Sequence, residues 1–342
     1  MPSFFQDLVG LLAILSIVGI LMISSRAPKR TRGRELPYHG IFAGAALVLF
    51  LLIPLGLKEV LFTPLTVVIA GTVFPIYESL RAVCTIGTTD DTAWLTYWIA
   101  QGTVSFSTEW IDDVGQGTHA NWYLFQFIFY LWLLLPWTDG ATLLFDFFLA
   151  PFVGPAIQPL VRKTDGIIHK IVLAVTNATH LSFVWIAFVM LPESFKRAIW
   201  IVIGTVYPIL SSIVVVTTID GADDTYWLTY WSCFGILFLI LDFLDNFLGF
   251  IPGFYTLAIA ATVYLMLPMF RGAETVFREI LVPLAGMQEM LIRRDAEMLK
   301  RQVLVNVPPE RQKLVLKEIA TSLEQNEASS KGTFQTDYNT IV

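Results

Sequence analysis

Residues 90–98 read DDTAWLTYW and residues 223–231 read DDTYWLTYW, so one unusual pattern occurs twice in the chain. The similarity extends without a gap over residues 71–113 and 204–246, where nineteen of forty-three positions are identical. A shared membrane-like composition would produce scattered matches between aliphatic residues, but it would not repeat an acidic, hydroxyl and aromatic pattern. Because similarity at a fixed offset indicates a repeat architecture, the sequence predicts two copies of one structural unit.

The composition indicates a membrane protein. Apolar and aromatic residues make up 55% of the 342 residues and charged residues 15%, whereas soluble chains are about 25% charged. Each unit has four apolar segments, several of them shorter than the roughly 20 residues with which a helix crosses a bilayer. The segments lie at about 41–57, 60–80, 92–111 and 121–137, then 170–191, 198–216, 225–244 and 252–270. We therefore predict an all-α membrane protein with two repeats of four short transmembrane or hairpin helices.

The repeat divides the chain into four regions. Residues 1–35 are predicted to form an apolar anchor, or an interfacial helix, followed by a basic loop. Residues 40–165 and 168–302 are the two membrane repeats, each ending in an amphipathic helix, and residues 303–342 form a partly disordered tail. An even number of segments returns the chain to its starting side, so the repeats should be parallel. The distribution of basic residues places the C terminus in the cytosol.

The repeated motif is typical of the start of a membrane helix. Aspartate and threonine oxygens accept hydrogen bonds from the free N–H groups of a first turn, and carboxylates suit its positive dipole end. Tryptophan and tyrosine at helical spacing would then place amphipathic rings at headgroup depth. The residues given these structural roles are Asp90, Asp91, Thr92, Trp94, Tyr97, Trp98, Asp223, Asp224, Thr225, Trp227, Tyr230 and Trp231. A divalent cation held by the paired carboxylates is the alternative that their chemistry leaves open.

An aromatic–proline pair precedes each motif, as Phe74-Pro75 and Tyr207-Pro208. Proline removes a helical hydrogen bond, so we predict a bend at Pro75 and at Pro208. Together with DDT-x-WLTYW and the later Gly272-Ala273-Glu274, these pairs resemble the signature of the receptor-expression-enhancing, deleted-in-polyposis and plant HVA proteins. Members of that family usually carry one such unit, whereas this chain carries two and an additional apolar segment at its N terminus.

The resemblance implies residence in the tubular endoplasmic reticulum, self-association or association with other membrane-shaping proteins, and generation of high membrane curvature without catalysis. The residues agree with a non-enzyme. There is no phosphate-binding loop, nucleophile elbow or dinucleotide fingerprint, and the four histidines lack metal-ligand spacing. We predict no catalytic residue, no cofactor and no metal. Basic residues are not interleaved with aromatic residues as a nucleic-acid surface requires, so we predict no nucleic-acid partner.

The end of the second unit is predicted to lie on the membrane surface. Over residues 275–299, apolar residues recur at steps of three and four, with charged residues on much of the remaining surface. Such a helix can lie among the lipid headgroups. The apolar face comprises Phe277, Ile280, Leu281, Leu284, Met287 and Leu291. Packing of this helix against another part of the protein is the alternative.

The leading hypothesis is a structural protein that bends the bilayer, with the two units acting as a covalent pseudo-dimer. A transporter or channel with a path between the repeats is the second hypothesis; it would use polar residues such as Gln101 and Ser105. An adaptor acting through the tail is the third. Tyr338, Ile341 and Val342 resemble a strand-adding motif for autophagy modifiers, a tyrosine-based sorting signal and a PDZ-domain ligand.

Overall fold

The computed structural model describes residues 36–85, 90–112, 119–135, 138–151, 190–217 and 221–308, and nine further positions between 161 and 321. The predicted N-terminal anchor, most of the segment at 170–191 and the tail motif lie outside the described residues. Within the described ranges every regular element is helical and no strand occurs. The prediction of an all-α membrane protein is confirmed.

Eleven helices make up this part of the chain. They are α1 (Leu36–Leu52), α2 (Leu55–Leu61), α3 (Pro64–Val83), α4 (Asp90–Asp112), α5 (His119–Leu134), α6 (Gly140–Leu149), α7 (Glu193–Thr217), α8 (Gly221–Leu248), α9 (Phe254–Met266), α10 (272–284) and α11 (Gln288–Asn306). The repeat makes α3 to α6 equivalent to α7 to α10. Each predicted apolar segment that lies in the described ranges is therefore helical.

Three of the described helices are long and apolar enough to cross a membrane. They are Pro64–Val83, Glu193–Thr217 and the part of α8 at Asp224–Leu248. Shorter apolar helices occur at His39–Leu52, Gly140–Leu149 and Phe254–Met266. The 13 residues of α9 extend only about 20 Å at 1.5 Å per residue, less than the roughly 30 Å of a bilayer's hydrocarbon core. The expectation of short segments is thus met.

Four helices widen into a π-helical turn, and each widened stretch ends two residues before a proline. The stretches are Ile69–Val73, Phe145–Leu149, Val202–Val206 and Phe277–Leu281, followed by Pro75, Pro151, Pro208 and Pro283. Proline has no N–H to donate, and its ring collides with the carbonyl four residues earlier. A π turn separates these groups without ending the helix. The bends predicted at Pro75 and Pro208 therefore take the form of π turns.

The core of the molecule lies where the two repeats meet. Helix α3 of the first repeat packs against α8 of the second, α7 packs against α4, and α4 contacts α8. The main cluster of buried apolar side chains includes residues of both repeats and reaches α10 and the start of α11. A smaller cluster joins α1 to α5 through Phe42, Phe50, Leu124 and Ile128. The repeats are thus one packed body, with α1 as an outer layer.

Candidate functional site

The aromatic residues of the repeated motif lie inside the protein. Tyr97, Trp98, Tyr230 and Trp231 are almost completely buried in the main core. The prediction that these rings lie among lipid headgroups is therefore wrong for these four residues. Among the tryptophan and tyrosine residues that the prediction named, only Trp94 is partly exposed. The reason is the second repeat, which covers the helix face that a single unit would leave open. Packing between repeats therefore determines the role of this motif.

Each motif tyrosine donates a hydrogen bond to the π turn that precedes it in the same repeat. The hydroxyl of Tyr97 lies 2.7 Å from the carbonyl oxygen of Gly71, and the hydroxyl of Tyr230 lies 2.8 Å from that of Gly204. Gly71 stands four residues before Pro75, so proline has removed the N–H that its carbonyl would accept in an α-helix. A buried carbonyl without a donor is costly, and the tyrosine supplies the donor. The proline and the tyrosine of each unit therefore act as a pair.

The second tryptophan of each motif connects two helices and also meets its counterpart in the other repeat. The indole N–H of Trp98 donates to Ser79 at 2.9 Å, and that of Trp231 donates to Ser212 at 3.0 Å. The two indole rings are nearly parallel, with an interplanar angle of 3° and centroids 6.1 Å apart. Trp98 and Trp231 occupy the same position in the repeat. Equivalent residues therefore face one another at the centre of the interface.

Threonine and aspartate exchange hydrogen bonds between the two motifs. The hydroxyl of Thr92 donates to Asp224, and the hydroxyl of Thr225 donates to Asp91 at 2.6 Å. Each bond joins the starts of α4 and α8. The predicted capping by these aspartates stays a prediction, and the side chain of Asp223 lies outside the described residues. No group of three or more His, Cys, Asp or Glu that suits a metal ion is found in the part of the chain described.

Two glycines allow the crossing helices to approach closely. A Cβ at Gly102 would lie 3.1 Å from the side chain of Ile209, and one at Gly235 would lie 3.0 Å from that of Ile76. Each crowded partner belongs to the other repeat. Gly102 and Gly235 are equivalent positions, as are Ile209 and Ile76, so the same glycine–isoleucine contact occurs twice with the two repeats exchanged.

These reciprocal contacts identify a pseudo-two-fold arrangement within one chain. A two-fold rotation makes every contact occur twice with exchanged partners, whereas a translation gives each contact once. Asp91 lies near Thr225 at the helix starts, and Trp98 stacks on Trp231 further along. Helices α4 and α8 therefore run in the same direction, with the axis between them. The prediction of parallel repeats is confirmed. We call the side with the two DDT sequences the motif end and the opposite side the far end.

The predicted surface helix is divided, and its apolar residues separate into two sets. Phe277, Leu281, Met287 and Leu291 are buried in the main core, whereas Ile280 is 56% and Leu284 is 82% exposed. The expected continuous helix over 275–299 instead breaks after α10. Gly286 there has φ +67°, a conformation that favours glycine and ends a helix. Packing against the protein, the alternative interpretation, holds for four of the six side chains.

Helices α10 and α11 lie at the motif end and are joined by ion pairs. The guanidinium of Arg278 contacts Asp295 at 2.7 Å and Glu274 at 3.3 Å. Arg294 acts electrostatically on Asp91 of the motif. The buried thiol of Cys84 is near the same charges, and burial raises its pKa to about 11. A thiol of this kind is a packed side chain rather than a reactive one.

The polar residues considered for a transport path bond to one another. The amide of Gln101 donates to Ser105 at 3.1 Å, and Ser105 lies 3.3 Å from the hydroxyl of Tyr130. The equivalent positions of Gln101 and Ser105 in the second repeat are Phe234 and Phe238, which pack in an aromatic cluster with Trp200. The polar chain is therefore a feature of the first repeat alone.

The sequence interpretation missed the partners of the motif. These are Gly71, Gly204, Ser79, Ser212, Gly102 and Gly235. All six lie at positions where the two repeats are identical. Residues that are identical between the repeats outside DDT-x-WLTYW could therefore have identified these partners from the sequence.

The chain is similar to a known protein family and to several fungal proteins. The model of the TB2/DP1, HVA22 family matches residues 75–152 and again residues 208–284. Protein yop-1 of Neurospora crassa is 38% identical over 130 residues, which are 38% of this chain and 73% of the relative. Protein YOP1 of Pyricularia oryzae is 36% identical over 145 residues, which are 40% of this chain and 81% of the relative.

The match to Protein yop1 of Aspergillus fumigatus is shorter. It is 39% identical over 89 residues, which are 25% of this chain, and the chain spans only about half (49%) of that relative. No solved structure matches the chain. The two matched regions contain the two proline, tyrosine and tryptophan sets described above. The chain is therefore a membrane protein that belongs to the TB2/DP1, HVA22 family and carries the family unit twice in tandem.

Proposed function

We propose that this protein generates or stabilises the high curvature of endoplasmic-reticulum tubules. The two units act as a covalent pseudo-dimer that occupies more volume in one leaflet than in the other. Membership of a family of membrane-shaping proteins supports this proposal, as does the absence of a nucleophile or cofactor motif in the sequence. No catalytic step is part of the mechanism.

The observation that carries the proposal is the one-sided position of α10 and α11. Both helices lie at the motif end, where Arg294 of α11 acts electrostatically on Asp91 and Arg278 of α10 acts on Cys84. Their exposed apolar side chains are Ile280, Leu284, Ile292, Met298, Leu299, Leu304 and Val305. A helix of this kind buries its apolar side roughly 5–10 Å into the boundary between headgroups and acyl chains. Volume added to one leaflet alone expands that leaflet, so the bilayer bends with this leaflet on its convex side.

Short helices support the same conclusion. Helices α5 and α9, the fourth segments of the two repeats, have 16 and 13 residues. Segments shorter than the hydrocarbon thickness thin the surrounding bilayer, at a cost of a fraction of a kcal/mol per Å. Tubules with strained lipid packing accommodate such segments more easily than flat sheets do.

Reconstitution of the full chain into liposomes tests the proposal. Electron microscopy should show tubules with the wild-type protein and few or none with the double variant Ile280→Asp/Leu284→Asp. Both side chains are exposed, so the change removes lipid contact without opening the core. The matched control, Gln288→Asp/Gln302→Asp, adds two carboxylates at exposed polar positions of α11 and should leave tubules intact. Equal tubulation by both variants would exclude the wedge.

The proposal includes a topology and partners. We place the motif end and the C terminus in the cytosol, with self-association or other membrane-shaping proteins as partners. Protection of the C terminus from protease in sealed microsomes would contradict this topology. The tail residues Tyr338, Ile341 and Val342 are proposed as a contact for an autophagy modifier, a sorting adaptor or a PDZ domain, and their deletion should abolish that binding alone.

A further inference from the structure

Charged side chains are buried at the far end of both repeats, where the helices turn back. Helix α7 runs from the far end to the motif end and α8 returns, so the starts of α7 and α9 lie together at the far end. By the same argument, α2 and the start of α5 lie at the far end of the first repeat. Lys196 is 0% and Lys58 is 5% exposed there. A buried charge is costly unless partners compensate it, so each lysine indicates a specific contact.

In the second repeat, one carboxylate joins α7 to α9. Glu193 accepts hydrogen bonds from the backbone N–H groups of Gly253 at 2.8 Å and of Tyr255 at 3.2 Å, and it pairs with Lys196 at 2.5 Å. The first N–H groups of a helix have no partner within that helix, and α9 has no capping side chain of its own. Glu193 therefore caps α9 from a different helix. The side chain of Tyr255 is also hydrogen-bonded to Asp245 of α8.

In the first repeat, an ammonium group joins α2 to α5. The Nζ of Lys58 donates a hydrogen bond to the Oδ1 of Asn121 at 3.2 Å and lies 3.6 Å from the centroid of the Phe50 ring. Asn121 is itself only 5% exposed. An amide oxygen and the face of an aromatic ring both stabilise a buried cation. Helix α1, helix α2 and the start of α5 are therefore joined at one point.

The two sets of contacts occupy the same place in the repeat but use different residues. Asn121 and Gly253 are equivalent in the alignment that pairs the start of α6 with the start of α10. In contrast, Lys58 aligns with Leu191, and the position of Glu193 is a valine in the first repeat. Duplication of one unit therefore does not explain these contacts. The junction is closed in both repeats, by an asparagine and a lysine in one and by a carboxylate and backbone N–H groups in the other.

We infer that these contacts clamp the far end of the bundle. The Glu193–Lys196 set is the second-repeat clamp, and the Lys58–Asn121 pair is the first-repeat clamp. The clamps hold the starts of the short helices α5 and α9 against α2 and α7. The far end therefore stays closed, whereas the motif end carries the added volume of α10 and α11.

The inference rests on the proposed function, because a wedge needs one end narrower than the other. Within a bilayer no water replaces a lost hydrogen bond, so released N–H groups must find other partners in the protein. A released start of α9 would separate from α7 and enlarge the cross-section of the molecule in the far leaflet. The wedge would then be weaker, although the exposed apolar side chains of α10 and α11 are unchanged.

Hydrogen exchange of the full chain in detergent micelles tests the second-repeat clamp. Glu193→Ala should raise the exchange rates of the Gly253 and Tyr255 amides by about tenfold or more, because both lose a charged acceptor. In liposomes, the same variant should form tubules of larger mean diameter, as measured by electron microscopy. Glu59→Ala removes an exposed carboxylate from α2 and is the matched control. It should change neither the exchange rates nor the diameter.

A second variant separates the hydrogen bonds from the ion pair. Glu193→Ala leaves the buried Lys196 without this carboxylate, whereas Glu193→Ala/Lys196→Met removes both charges. The inference requires fast exchange at Gly253 in both variants. Normal exchange in the double variant would overturn it, because the effect would then come from the buried lysine. If neither variant folds, the wild type decides. Exchange at Gly253 as fast as at Gln288, at the start of α11 where no side chain caps the helix, would overturn the clamp.

The tubule measurement separates this inference from the proposed function. Fast exchange at Gly253 with an unchanged tubule diameter would overturn far-end closure as a cause of curvature and leave the proposed function intact. A wild-type protein that forms no tubules would reject the proposed function, whereas the exchange rates would still decide whether the clamp exists.

Discussion

The two repeats agree where they face each other and differ where they face their surroundings. Tyrosine, tryptophan, serine and glycine recur at the same positions along α3 and α4 and along α7 and α8, and each makes the same contact in both units. Away from the interface, Gln101 and Ser105 of the first repeat are replaced by Phe234 and Phe238 in the second. Each contact across a pseudo-two-fold interface is made twice, once from each repeat, so the same residue type is required at the equivalent position of both copies. Outer surfaces meet lipid or other chain segments and are free to diverge.

The largest expected effect is the loss of either central indole. Trp98→Ala and Trp231→Ala should each lower the free energy of unfolding by about 3–5 kcal/mol, because each removes a buried ring from the same stack. Denaturation in detergent micelles, followed by circular dichroism, measures this. Trp94→Ala, at a partly exposed ring outside the stack, serves as the control and should cost less. A large loss for only one of the two variants would show that Trp98 and Trp231 are not equivalent in the stack.

The tyrosine–proline pair should show the next largest effect. Tyr97→Phe leaves the Gly71 carbonyl without its donor and should cost about 1–3 kcal/mol. Pro75→Ala supplies a backbone N–H, so the cost of Tyr97→Phe should be smaller in that background. A double-mutant cycle measures the coupling, which we expect to reach about 0.5 kcal/mol or more. Tyr230 and Pro208 provide an independent repetition, and strictly additive losses in both repeats would refute the pairing.

The bonds between the motifs should contribute less. Thr92→Val and Thr225→Val should each cost about 1 kcal/mol, because each loses one hydrogen bond at a partly exposed site. If the aspartates also cap their helices, Asp91→Asn should be mild and Asp91→Ala should cost about 0.5–2 kcal/mol. Thermal unfolding with and without a chelator separates this from metal binding. Destabilisation of the wild type by chelator would favour the cation alternative.

The smallest effect is expected at the surface ion pairs of the second repeat. Arg278→Ala should change the free energy of unfolding by about 0–1 kcal/mol, since its partners are largely exposed. The same variant should increase proteolysis near Gly286, because Arg278 joins α10 to α11. Asp146→Ala is the equivalent change in the first repeat and should have neither effect. Limited proteolysis followed by mass spectrometry distinguishes the two variants.

The sequence was sufficient for the repeat, the helical class and the membrane setting, because these follow from local composition and from self-similarity. The sequence also predicted bends at Pro75 and Pro208, although it did not predict that these bends would be π turns. The assignment of motif aromatics to the headgroup layer failed for Tyr97, Trp98, Tyr230 and Trp231. Helical spacing shows which side chains share a face, but it does not show whether lipid or protein covers that face.

The residues alone show that one unit occurs twice, that each unit is helical, and that both copies carry a proline, a tyrosine and a tryptophan at the same spacing. The contact of Trp98 with Trp231 and the bonds of Thr92 and Thr225 across the repeats follow only from how the helices pack. The packing also decides which residues of the surface helix remain exposed. The physical reason is that both repeats carry the same residues, so contacts within one unit and contacts between units predict the same sequence pattern. The two are distinguished only when the helices occupy definite positions in space.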